Sequence, residues 1–321
     1  MKSARDKIDY CEYFAETGSR PQNFLQDYDP EERFKDHSKT QELIRLKNAL
    51  IKSRNHPEVF LKADIRTVDP KDLGTFDVIL IDPPWNEYHK RTAMLDVEKT
   101  SEKLENWSVE DIRDIKVTQL ANDPSFIFLW VGSEHLDNGR YLFKQWGLKR
   151  CEDVVWIKSN VQVNKLNSSC ADSYSFLKRV KEHCLVGIFG NAKEASEGTF
   201  IHANIDTDVI LSEEPEIGNF NKPAELYDII ERFCLGRKKL ELFANKNSIR
   251  PGWLSVGKQL PESNFVKEQY DSWFEGDPRP GSYVGGRILQ STPEIEALRP
   301  KSPPKQGANL DPAQSKPRLF D

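Results

Sequence analysis

Two kinds of hydrophobic spacing alternate along this chain. Residues 76–81, 125–131, 153–157, 183–188, 208–211 and 239–243 form short runs that are apolar nearly throughout and rich in β-branched and aromatic side chains. Lacking polar–apolar alternation, such runs read as strands buried on both faces of a largely parallel sheet. Between them the period lengthens to that of a helix. Leu226, Ile229, Ile230 and Phe233 make one stripe, opened by Pro223 at a tolerated first-turn position. Leu43, Leu46 and Leu50 share a face nearer the N-terminus. Strands alternating with helices predict an α/β fold with a doubly wound, mostly parallel sheet.

The same pattern divides the chain into a helical N-terminal extension (1–55), a central domain (56–260) and a C-terminal arm with a disordered tail (261–321). Residues 87–107 are highly charged and read as a long loop over the carboxyl ends of the strands, where open α/β sheets bind ligands. After Gly257 the chain is aromatic and glycine-rich, with Tyr270, Trp273, Phe274, Tyr283, Gly285 and Gly286, and from Arg299 it turns Pro/Lys/Ser-rich.

Composition narrows the class. With 37% hydrophobic and 30% charged residues and no apolar run of membrane-spanning length, the 321 residues are expected to be a water-soluble protein without a membrane partner. The first residues, Met1-Lys2-Ser3-Ala4-Arg5-Asp6, have no apolar stretch behind them, so an intracellular protein is expected. Five cysteines, scattered and never spaced Cys-x-x-Cys, argue for free thiols and against both a disulfide framework and a metal site. A net charge of -5 means that any contact with nucleic acid must come from a local basic patch.

The sharpest chemical signal is Asp82-Pro83-Pro84-Trp85, directly after the run at 76–81. An adenine exocyclic amine is a poor nucleophile because its lone pair is delocalised into the ring. An oxygen of Asp82 and the carbonyl of Pro83 would each accept one amine hydrogen and hold the nitrogen in line for methyl transfer. The prolines fix the carbonyl direction, and Trp85 would stack on the base. The competing reading is a strand that ends in a rigid turn, its Trp packed on the core. No Gly-x-Gly-x-x-Gly occurs, so the ordinary dinucleotide loop is missing. Asp64 and Ile65, ahead of the motif strand, are candidates for holding a cofactor adenosine, Asp64 being equally readable as a turn residue.

These residues sit among segments that, taken in order, resemble the mRNA N6-adenosine methyltransferase family in its usually non-catalytic, methyltransferase-like fourteen branch. The likeness runs from about residue 9 to residue 303. Its markers include Lys149-Arg150-Cys151-Glu152-Asp153, Lys181-Glu182-His183-Cys184-Leu185, Phe200-Ile201-His202-Ala203-Asn204 and Ile249-Arg250-Pro251-Gly252-Trp253-Leu254. The resemblance implies a Rossmann-like S-adenosylmethionine methyltransferase fold. It also implies a heterodimer with a catalytic paralogue, methyltransferase-like three, that binds mRNA in the nucleus and recruits further regulatory subunits. Lys222 and Gln259 match cofactor-side positions of the catalytic branch. Asn245, Asn247 and Ser248 stand where that branch has Arg, His and Asn, a loss of positive charge that would leave the cofactor carboxylate poorly paired.

Arg140, Lys144, Lys149, Arg150 and Lys193 match the family's RNA groove and by that likeness are expected to contact phosphates; without it they read as an ordinary solvated helix face. Ser133, Asp137, Arg140, Cys151, Glu152, Asp153, Asn204, Asp206 and Asp208 match its subunit interface. Asp137 and Arg140 are equally readable as a surface pair within one subunit. Three functions stay open at this point: a non-catalytic, RNA-contacting subunit, with S-adenosylmethionine serving the complex; an active adenine N6-methyltransferase built on Asp82-Pro83-Pro84-Trp85; and a protein scaffold without RNA contact.

Overall fold

A computed structural model describes residues 38–88, 105, 107–159, 177, 179–192, 200–201, 206–215 and 220–299. They fall into two compact units, one over residues 47–291 and one joining residues 1–46 to 292–321. In the second unit the described residues are the first turns of helix α1 (Ser38–Arg54), where Arg45 and Glu42 pair at 2.6 Å, and helix α8 (Pro293–Leu298), whose first turn is capped by the Thr292 hydroxyl.

The first unit is built on one eight-stranded sheet. Its strands are β1 (Val59–Lys62), β2 (Phe76–Ile81), β3 (Ala121–Val131), β4 (Lys149–Ser159), β5 (Lys181–Phe189), β6 (Val209–Glu213), β7 (Lys239–Leu242) and β8 (Trp253–Gly257). They lie in the order β1-β8-β7-β2-β3-β5-β4-β6, all parallel except β5, which runs antiparallel to both neighbours. All six strands expected from the apolar runs are present. Strands β1 and β8 are additions, since Val-Phe-Leu-Lys and Trp-Leu-Ser-Val-Gly are short and mix polar or small residues into the run.

Strand parity explains why both faces are apolar. From β2, Phe76, Ile79 and Ile81 join Ile127, Leu129, Leu240, Leu242, Leu254 and Val256 in one core. It is covered by α2 (Pro70–Leu73), α3 (Val109–Arg113), α4 (Val117–Leu120), α5 (Leu136–Gln145) and Tyr270 of α7 (Lys267–Ser272). The intervening Val78 and Leu80 join Phe126, Phe128, Trp130, Val154, Trp156, Val186 and Ile210 in a second core, under Leu226, Tyr227 and Ile230 of α6 (Glu225–Phe233). Each such side chain, fully buried, contributes about 1.5–3 kcal/mol.

Three local features depart from the expected pattern. The buried face of α1 runs through Thr40, Leu43, Lys47, Ile51 and Arg54 rather than Leu43, Leu46 and Leu50. Lys47 donates to the carbonyl of Arg232 near the end of α6 at 2.9 Å, where a cation also meets the negative end of the helix dipole. Arg54 and Arg237 bind main-chain carbonyls of residues 279–286, and residues up to Ser291 belong to the same unit as the sheet. The β1 edge is closed by side chains: Asn264 accepts from Phe60 N at 2.7 Å and returns its own N–H to Phe60 O at 2.9 Å, while Ser263 Oγ accepts from Lys62 N at 2.8 Å. Among the described residues no helix is long and apolar enough to cross a membrane, no metal-binding group is found, and Cys151, Cys184 and Cys234 are free thiols.

Candidate functional site

A cleft of about 550 Å³ opens over the carboxyl ends of β1, β8, β7 and β2. Strands β2 and β7 are neighbours whose chains leave in opposite directions, β2 toward β3 and β7 toward β8. Such a switch point is where a doubly wound sheet leaves room for a ligand. Asp82, Pro83 and Pro84 form its β2 wall, Ala63, Asp64 and Ile65 its β1 wall, and Phe243, Asn245 and Gln259 its floor and far lip. Asn245 and Gln259 are joined by an isolated parallel bridge. Phe243 holds a left-handed backbone, φ 66°, unusual for a residue with a side chain of this size and common at functional sites. Tyr88 and Phe220 face each other across the cleft wall with ring centroids 5.2 Å apart.

Asp82 stands at the mouth of a buried charge network. Lys222 Nζ lies 3.4 Å from Asp82 Oδ1, 2.8 Å from Glu182 Oε2 and 2.7 Å from the Tyr88 hydroxyl. Glu182 Oε1 also takes Lys158 Nζ at 2.5 Å. Burial raises the Asp82 pKa to about 6, Lys222 lowering it and Glu182 raising it. Glu182 is held below the ordinary range by its two lysines, despite burial acting the other way. Asp82 Oδ1 is buried without a hydrogen-bond donor while 22% of the side chain stays accessible, so the carboxyl offers its other oxygen to the cleft.

Trp85 departs from expectation. Its ring is 1% exposed, its Nε1 donates to the carbonyl of Trp130 at 2.7 Å, and it stacks on His135 at 4.6 Å. The turn after Pro84 swings the indole into the core because a distant main-chain acceptor waits there. The aromatic residues that do line the cleft beside Asp82 are Tyr88 and Phe220, which sequence reasoning missed: Tyr88 lies inside a stretch read as charged loop, and Phe220 has no motif; Tyr88 is itself buried, packed between Phe220 and the Lys222 ammonium. Trp107, edge-on to Phe243 at 4.7 Å and beneath the Arg66 guanidinium at 4.1 Å, was missed for the same reason.

The other cofactor-side candidates are found at or near the cleft. Asp64, Ile65 and Gln259 line the cleft, and Lys222 lies behind Asp82. Asp64 is also a turn residue, accepting from Arg66 N at 3.0 Å. The cofactor end is not stripped of positive charge, however, because Lys246, between the positions compared earlier, lines the cleft together with Lys62 and Lys258.

Arg140 and Lys144 on α5 and Lys149 and Arg150 at the start of β4 are exposed; Lys193 and Asn204 lie outside the described residues. Asp137 and Arg140 pair with each other at 3.0 Å on the helix surface. Cys151, Glu152 and Asp208 are exposed and Ser133 is half-buried. Asp153 faces His183 at 3.1 Å. Asp206 is turned inward, its carboxylate held by two nitrogens of Arg232 at 2.7 and 2.9 Å.

A sheet covered on both faces, with an Asp-Pro-Pro turn and an adenosine-sized cleft at its carboxyl end, defines a Rossmann-like methyltransferase domain. The chain belongs to the MT-A70 family, whose sequence model matches residues 76–259. It is 46% identical over 298 residues to the N(6)-adenosine-methyltransferase non-catalytic subunit METTL14 of Danio rerio, covering 92% of this chain and 62% of that protein. With the METTL14 subunit of Drosophila melanogaster it shares 45% over 306 residues, 94% of this chain and 74% of the relative. With the N(6)-adenosine-methyltransferase catalytic subunit METTL3 of Homo sapiens it shares 32% over 229 residues, 70% of this chain and 36% of the relative. The chain thus spans about three fifths of the length of the vertebrate non-catalytic subunits it matches.

The methyl donor that a methyltransferase family implies is S-adenosylmethionine. Its adenosine half fits the apolar walls, Asp64 and Gln259. Its methionine half fits less well: the carboxylate can meet a lysine, but the ammonium and sulfonium find no unpaired acid among the described residues of the lining. Arg66 and Lys258 neutralise Asp64 and Glu105, and Lys222 engages Asp82, but among the described residues no carboxylate is in ion-pair range of Lys62 or Lys246. A cofactor carrying a sulfonium, an ammonium and one carboxylate is a net cation, and the acids that line the cleft, Asp64, Asp82 and Glu105, already have cationic partners.

Proposed function

We propose that this chain is the non-catalytic, RNA-contacting subunit of a nuclear mRNA N6-adenosine methyltransferase, paired with a catalytic MT-A70 paralogue. The observation that carries the reading is the likeness to non-catalytic subunits over more than nine tenths of the chain. The pairing of the lining acids Asp64, Asp82 and Glu105 with cations, which leaves none for a sulfonium or an ammonium, agrees with it. Arg140, Lys144, Lys149 and Arg150, exposed on α5 and β4, are the groups we assign to RNA phosphates, and the exposed Glu152 and Asp208 to the partner. Co-expression with a catalytic paralogue tests the pairing: a stable complex, active only when both chains are present, is expected, and methylation by the paralogue alone at the full rate would overturn it.

The RNA contact is tested by K149E/R150E in that complex. Each lost phosphate contact lowers the slope of log affinity against log salt by about 0.7 on single strands, so a fall of roughly 1.4 is expected. An unchanged slope would remove this surface from RNA binding.

A second reading, an active methyltransferase, is favoured by Asp82, whose partly accessible carboxyl lines the cleft at the end of β2. Asp82→Ala in the complex separates the two readings. Unchanged methylation supports the non-catalytic role, and near-complete loss with an unaltered melting temperature supports the active one.

A further inference from the structure

Lys62, at the end of β1, and Lys246, in the turn after β7, lie on the lining of the same cleft. The other charges of the lining are paired, in part with cations behind it. Asp64 lies 3.8 Å from both Arg66 and Lys258, Glu105 pairs with the same two cations, and Asp82 faces Lys222. Two ammonium groups are therefore left uncompensated among the described residues. Among the described residues neither shares a cation–π contact with a ring, and the hydrogen bond found on them is a long one, 3.4 Å, from Lys62 to the Pro261 carbonyl.

The rest of the cleft suits a nucleoside. Phe243 and Trp107 supply an aromatic corner, Asp64 stands at the end of the first strand, where an acid can meet ribose hydroxyls, and Asp82 keeps a carboxylate oxygen available for an exocyclic amine. Replacing a sulfonium amino acid by a phosphate turns a net cation into a dianion, which matches the two spare lysines in charge and in kind.

We propose that the cleft of this chain binds a free adenine nucleotide, its phosphate held by Lys62 and Lys246, in the place where a catalytic methyltransferase would hold its cofactor. The proposal rests on the assignment of the cleft as a former cofactor pocket but not on RNA contact or pairing, which are tested separately above.

The probes are AMP, adenosine and S-adenosylmethionine, titrated calorimetrically into the full chain at two salt concentrations. AMP is expected to bind at least about tenfold more tightly than adenosine, as one or two charge-assisted phosphate contacts require. K62A/K246A, which alters two exposed side chains, should reduce AMP affinity to that of adenosine at an unchanged melting temperature. Equal binding of AMP and adenosine would remove the phosphate site while leaving a nucleoside cleft. Tighter binding of S-adenosylmethionine than of AMP would overturn the proposal in favour of a working cofactor pocket. An RNA oligonucleotide without terminal phosphates should fail to displace AMP; displacement would place an RNA strand in the cleft and overturn the free-nucleotide assignment. No AMP binding at millimolar concentration would also end it.

Discussion

Glu241 on β7 accepts the Tyr227 hydroxyl at 2.9 Å through one oxygen, while the other is buried without a donor. Burial lifts its pKa to about 7, against the pull of Ser248, Arg250 and Tyr227 and with a push from Asp82. A carboxyl whose folded pKa exceeds its unfolded value of 4.5 gives stability that is complete below pH 4.5 and lost as pH rises through 7. At about 1.4 kcal/mol per pKa unit, roughly 3 kcal/mol is the upper bound. Glu241→Gln keeps the acceptor for Tyr227 and removes the ionisation. It should therefore melt higher than the parent at pH 8, and the gain should vanish near pH 5; thermal melts at both values check this, and parallel pH curves would contradict it. Trp85→Phe is the complementary case. It leaves the Trp130 carbonyl without its donor and should cost about 1–3 kcal/mol in denaturant unfolding. A Trp85 acting as a base platform would instead lose ligand and keep its stability.

At the scale of elements, the cleft depends on how closely the ends of β7 and β8 approach. A Cβ on Gly257 would stand 2.1 Å from the carbonyl oxygen of Ala244 and 2.8 Å from its nitrogen, backbone atoms that cannot swing aside. Gly257→Ala should push the lip at Ala244–Asn245 away and cost about 1–3 kcal/mol, as over-packing does. The measurement is a melting curve beside an AMP titration, with both expected to suffer.

The same region shows where reading the sequence succeeds and stops. Strand β2 was legible because Phe-Asp-Val-Ile-Leu-Ile is covered on both faces and needs apolar residues at nearly every position. Strands β1 and β8 escaped notice because their pairing with each other, not their composition, makes them strands. The placement of Asp64, Asp82 and Gln259 around one cleft was legible from the motif and the family likeness. The direction of Trp85 was not, since it is set by an acceptor 45 residues away. Nor was the rotation of the buried face of α1, which follows from carbonyls that capture Lys47 and Arg54 from across the fold. Lys246 was overlooked because comparison with aligned positions says nothing of which side chain a turn presents.

At the scale of the whole molecule, the segment after Leu260 is part of the unit that holds the sheet. Tyr270 is 1% exposed and packs against Phe76 and His56, and Phe274 packs on Tyr270. Losing these two aromatics would forfeit about 1.5–3 kcal/mol each, comparable to a large part of a domain's net stability. A chain truncated after Leu260 is expected to expose apolar surface and fail to unfold cooperatively, whereas one truncated after Arg299 should melt with a single transition; calorimetry distinguishes them.

The seal that Asn264 places on β1 has a consequence for how copies of this molecule meet. An open strand margin invites another backbone to dock and repeat, and such recruitment has no natural end. Here the Asn264 amide and its peptide group imitate a neighbouring strand at one residue, the Ser263 hydroxyl occupies the next outward-facing amide, and the chain then turns away, so that margin is a terminus that offers nothing to copy.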